Sequence, residues 1–106
     1  MSAKLITIYW RDIPAQVTAQ KGRIREKALL DARFQHAIDR AAAVAGLTDT
    51  DSYIAQWNRK TFACEGDMAE AVAKEASKIE DNYTAERLEK LVKQGGVETN
   101  DEKVIT

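Results

Sequence analysis

The chain has 106 residues, 44% hydrophobic and 31% charged, with a net charge of −1 and one cysteine. That length and composition suit a globular protein with one core, and they exclude an internal disulfide and an apolar run long enough to span a membrane. The apolar stretch near the N-terminus leads straight into Arg11-Asp12 and does not read as a signal peptide, so a cytoplasmic protein is expected.

The strongest β-formers come first. Leu5 to Trp10, LITIYW, is an unbroken run of the kind a strand buried on both faces shows. It stops at Arg11-Asp12-Ile13-Pro14, where Pro14 removes a backbone donor and restricts Ile13. Ala15, Val17 and Ala19 then alternate with Gln16, Thr18 and Gln20, the period of a half-exposed strand. So short a connection at Asp12-Ile13-Pro14 predicts an antiparallel hairpin, ended by Lys21-Gly22. Residues 23–30 read two ways. Arg25 to Leu29 are good helix formers, whereas Ile24, Glu26 and Ala28 would continue a strand.

Asp31 is placed to cap a helix. Phe34, Ala37, Ile38, Ala41, Ala42 and Ala45 follow at spacings of three and four, one apolar face, until Gly46 stops it. The alanines on that face suggest close approach to a sheet. Thr48 to Ser52 is a polar loop. Tyr53 to Phe62, YIAQWNRKTF, reads as a third strand, with a helical turn over residues 52–56 as the competing reading. Asp67 is a candidate cap for a helix with Met68, Val72, Ala76, Ile79 and Tyr83 on one face. Thr84 can cap a last helix that uses Leu88, Leu91 and Val92 and ends at Gly95-Gly96. The expected order is β-β-α-β-α-α, an α+β domain over residues 1–96. It combines a small antiparallel sheet with helices on one face, and residues 97–106 form a flexible tail.

Catalytic motifs are absent. His36 and Cys64 are the sole residues of their kinds, but His36 lies off the apolar face of its helix and Cys64 follows Phe62-Ala63 as a small buried hydrophobe. One Cys and one His fall short of a zinc set. Neither GxGxxG nor GxxxxGK[ST] occurs, so no nucleotide cradle and no cofactor is expected. Arginine and lysine stand beside aromatic residues at Tyr9-Trp10-Arg11 and at Trp57, Arg59 and Lys60, a pairing that could stack bases. The pI near 5.8 and the missing signature motifs speak against nucleic acid. Charge is segregated: residues 1–40 carry eight Lys/Arg against four Asp/Glu, and residues 65–102 carry five against eleven. Such a basic front and acidic back suit docking on a charged surface, and equally suit solvated helix faces.

LITIYWRDIPAQV, with RFQHAIDRAA and YIAQWNR after it, resembles the small bacterial family named for a virulence factor, over roughly residues 3–94. The YWRDIPAQV stretch is its most specific part. The resemblance implies a small cytoplasmic protein without an established active site. Its genomic setting would imply an accessory or scaffold role in folate and corrinoid one-carbon metabolism, beside methyl-transfer or methylenetetrahydrofolate reductase-like enzymes.

Two functions are therefore expected to compete. The first is a non-enzymatic accessory subunit that binds a larger protein, using an exposed patch at Trp10, Arg11 and Asp12; the competing structural reading, favoured for Asp12, is an internal ion pair or turn hydrogen bond with Trp10 covering the core edge. The second is a binder of, or enzyme for, an anionic, folate-like small molecule. There Arg11, Arg59 and Lys60 would hold the charge and Trp10, Tyr53 or Trp57 would stack. Self-association through an unguarded sheet edge is a third.

Overall fold

The computed structural model describes residues 3–64 and 66–98. Two strands open the chain, β1 (Ala3–Trp10) and β2 (Ile13–Lys21), paired antiparallel from Lys4–Gln20 to Trp10–Ile13. The turn between them is the two residues Arg11 and Asp12, so Ile13 and Pro14 belong to the second strand rather than to the connection. The register shifts after Ile8–Gln16, so that Tyr9 pairs with Pro14 and Ala15 is left as the extra residue of a bulge.

Residues 23–30 resolve as strand. β3 (Ile24–Leu29) pairs with β2 from Lys21–Ile24 to Gln16–Leu29. After the helix α1 (Ala32–Ala45) comes a single-turn helix, α2 (Thr50–Ala55), and then β4 (Trp57–Cys64), which pairs antiparallel with β1. The sheet thus has four strands, not three, in the order β3-β2-β1-β4. The expected strand at Tyr53 begins four residues later. Asp49 is the reason: its side chain accepts from Ser52 N–H and starts a helical turn that carries Tyr53, Ile54 and Ala55. That bond also holds the Asp49 carboxyl below its usual range.

The helix caps read from the sequence are the ones in place. Asp31 accepts from Arg33 N–H, Asp67 from Ala69 N–H and Thr84 from Arg87 N–H. They open α1, α3 (Met68–Asn82) and α4 (Ala85–Lys93), and Gly46 ends α1 in the left-handed region at φ 74°. The element order is β-β-β-α-α-β-α-α, an α+β fold.

Strand alternation sorts the sheet into two faces. One carries Leu5, Thr7, Val17, Ala19 and Ala28, and α3 lies over it with Val72, Ala76 and Ile79. The helices α1 and α4 pack on each other and close over the hairpin end, around Trp10 and Ile13. The other face carries rows of side chains such as Thr61–Ile6–Thr18–Lys27 and Arg59–Ile8–Gln16–Leu29, and along these rows only Ile6 is buried. On this face of the first strand Lys4 is exposed, Ile8 half-buried and Ile6 buried, so the expected burial on both faces holds only in part. Residues 97 and 98 are described beside the hairpin; the rest of the expected tail, with Val104-Ile105, lies outside the described residues.

Candidate functional site

The hairpin turn is the point where distant parts of the chain meet. Arg11 sits at φ 55°, among the described residues the one non-glycine with positive φ. This conformation costs an L-residue about 1–2 kcal/mol. Strain of that kind persists where its surroundings over-determine it, and they do. Arg11 N–H donates to Gln56 O at 3.0 Å, and Asn58 Nδ2 donates to Arg11 O at 3.1 Å. The guanidinium donates to Gln56 Oε1 at 3.1 Å and to Gly95 O at 3.2 Å. Asp12 N–H donates to Gly96 O at 2.8 Å, and Asp12 Oδ2 accepts from Glu98 N–H at 2.6 Å. Both polar backbone groups of Arg11 are thus used, by Gln56 and Asn58, while Gly95 and Gly96, just after α4, take its guanidinium and the Asp12 N–H.

Trp10 does not form a docking patch. It is fully buried, packed against Gly96 and Ala41, and its indole N–H donates to Tyr53 O at 2.9 Å. The ring stands at the end of β1, beside α1 and the glycine that follows α4. Tyr53 and Trp57 extend this aromatic group, with centroids 5.5 Å from Trp10 to Tyr53 and 6.0 Å from Tyr53 to Trp57.

On the side of the sheet that α3 covers, a cleft of about 260 Å³ opens beside the turn, lined by Tyr9, Arg11, Asp12, Lys60, Tyr83 and Glu98. Lys60 Nζ lies 5.1 Å from the Tyr9 ring centre, and the Arg87 guanidinium lies 4.0 Å from that of Tyr83. Arg87 also grips both oxygens of Glu98, at 3.1 and 3.0 Å, a fork-on-fork pairing. Burial pushes both tyrosine hydroxyls above their ordinary range; Glu75 adds to this at Tyr9, while Arg87 opposes it at both.

A family model described as Virulence factor matches residues 8–92. The chain belongs to that family. No curated protein and no solved structure matches it.

In this virulence-factor domain the expected site residues separate. Arg11, Asp12 and Lys60 come together in the cleft. Trp10, Tyr53 and Trp57 stack with one another, Trp10 within the core. Arg59 is one residue from Lys60, but alternation places it on the opposite, open face, across from Ile8. A single anion site using Arg11, Arg59 and Lys60 with the aromatic rings is therefore not formed. Tyr9, which the sequence singles out only as a neighbour of Trp10 and Arg11, lines the cleft with Tyr83 and Glu98, and Arg87 holds Glu98 in place; the last three are not singled out from the sequence. Tyr83 reads there as the end of a helix face, and no local pattern links it to a hairpin some seventy residues earlier.

The open face has its own character. Its charged residues along the three rows from Lys4 to Ile8 are Lys4, Arg25, Lys27 and Arg59, with no carboxylate among them, around Ile6, Ile8 and Leu29. Among the described residues no helix is long and apolar enough to cross a membrane, and no three His, Cys, Asp or Glu side chains gather to hold a metal ion. Cys64 is buried and His36 exposed.

Proposed function

We propose that the protein is a cytoplasmic, non-enzymatic accessory subunit that docks on a larger protein through the open face of its sheet. One observation carries this reading: along the described rows of this face, four cations and no carboxylate stand around half-buried Ile8 and exposed Leu29, the latter 69% exposed. An apolar patch within one sign of charge is a surface that a complementary partner desolvates. The partner's contact face would be rich in Asp and Glu. The one-carbon setting implied by the family resemblance makes a methyl-transfer or methylenetetrahydrofolate reductase-like enzyme the first to test.

The test is purification of the tagged full chain from its own cell at low salt, beside the variant Arg25→Glu, Lys27→Glu, Arg59→Glu. A defined protein should co-elute at fixed stoichiometry with the wild type. It should be lost with the variant while circular dichroism stays unchanged, and the wild-type complex should weaken as salt rises. Recovery as a lone monomer, or a complex indifferent to the three reversals, would count decisively against docking on this face.

A further inference from the structure

The polar groups of the cleft divide into those already engaged and those left over. Arg87 and Glu98 satisfy each other, the Arg11 guanidinium is held by Gln56 and Gly95, and one Asp12 oxygen takes the Glu98 amide. Three donors remain. The hydroxyls of Tyr9 and Tyr83 have no hydrogen-bond partner among the described residues, and Lys60 makes no ion pair there. These donors come from β1, from the α3–α4 junction and from β4, and they border one cavity. The turn beside them is tied to Gln56, Asn58, Gly95, Gly96 and Glu98.

We propose that this cleft binds the oxyanion of a small molecule, a carboxylate or a phosphate monoester, between the Tyr9 and Tyr83 hydroxyls and the Lys60 ammonium. Three donors and no free cation beyond Lys60 suit one anionic group rather than a polyanion. Arg11, Lys60 and Arg87 face Asp12, Glu75 and Glu98, so the surroundings are close to neutral. Binding would then rest on directed donors, not on a long-range field. A volume of about 260 Å³ falls just under that of drug-sized sites, about 300–1,000 Å³, and suits a small metabolite. The site is independent of docking through the open face, because Lys60 and Arg59 point to opposite sides of the sheet.

The test is titration of the full chain with acetate, inorganic phosphate and chloride, followed by amide chemical shifts and by melting temperature. One of the two oxyanions should move the amides of Asp12, Lys60 and Tyr83 and raise the melting temperature, and chloride should not. Stronger binding of acetate assigns a carboxylate ligand, and stronger binding of phosphate a phosphate ester. Lys60→Gln should weaken binding about tenfold or more, the size of one charged hydrogen bond. Tyr9→Phe and Tyr83→Phe should each weaken it less, and Arg59→Gln should leave it unchanged. The proposal falls if neither oxyanion moves those amides at millimolar concentration, or if Lys60→Gln binds as the wild type does. Loss of protein docking with anion binding intact would overturn the proposed function alone.

Discussion

At the scale of the residue, a glycine with no chemistry of its own holds the site together. Gly96 has φ 92°, and a Cβ built on it would meet Trp10 Cζ3 at 2.9 Å, inside a ring that is itself fully buried. Its carbonyl accepts from Asp12 N–H. Gly96→Ala therefore adds a backbone penalty to a collision with a ring that has nowhere to move, a cost of about 2–4 kcal/mol in all. Gly22 has φ 60° but nothing within 4 Å of a built Cβ, so Gly22→Ala should show the backbone part alone, about 1–2 kcal/mol. Urea denaturation of both variants checks this: equal losses would show that Trp10 yields and that the close approach is not a constraint. From the sequence Gly95-Gly96 reads as a helix stop, which is half of its role. The other half needs Trp10 and Arg11 beside it, and no spacing rule brings them there.

At the scale of the element, the caps were legible and the edges were not. Asp31, Asp67 and Thr84 each announce a helix through a bond made within two or three residues. The strand β3 has no such signal. Its sequence IREKAL leaves Ala28 as its sole residue that is not exposed, so the alternation that marks a half-buried strand is missing. Tyr53, Ile54 and Trp57 are β-formers by type and so suggest a strand from Tyr53 onward, while the cap at Asp49 turns the first two into helix and β4 begins at Trp57. These two strands are the sheet's edges. Edges present unpaired amides and carbonyls, and charged side chains are a common guard. Arg25, Glu26 and Lys27 stand on one edge and Arg59 and Lys60 on the other, exposed. The chain should accordingly run as a monomer in size-exclusion chromatography with light scattering. Arg59→Thr with Lys60→Thr removes both charges of β4 and raises its β-propensity, and should drive concentration-dependent association. Wild-type dimers, or a variant that stays monomeric at every concentration, would show that charge does not guard this edge.

At the scale of the whole molecule, the helices and the sheet meet at Tyr9 and Tyr83, which makes the joint sensitive to alkali. Burial raises both hydroxyls above their ordinary value of 10.0, Glu75 reinforcing this for Tyr9 and Arg87 working against it at both. The sign follows from linkage. In the unfolded chain these groups release their protons at the ordinary value, while the folded chain still holds them. The unfolded state then binds fewer protons, and stability falls as pH rises. Below the unfolded value both states are protonated and the stabilisation is complete; it is lost as pH climbs through the folded values. Denaturation at pH from about 9 to about 11 should show that decline, with tyrosinate absorbance of the folded protein rising late. Lysines also discharge in this range, so the decisive comparison is Tyr9→Phe with Tyr83→Phe. The double variant keeps both rings and should show a flatter profile, because it removes the two groups whose protons differ between the states. A wild-type profile as flat as that of the variant would mean that the hydroxyls are as solvated in the fold as outside it. The cleft they border would then be too wet to hold an anion by directed bonds.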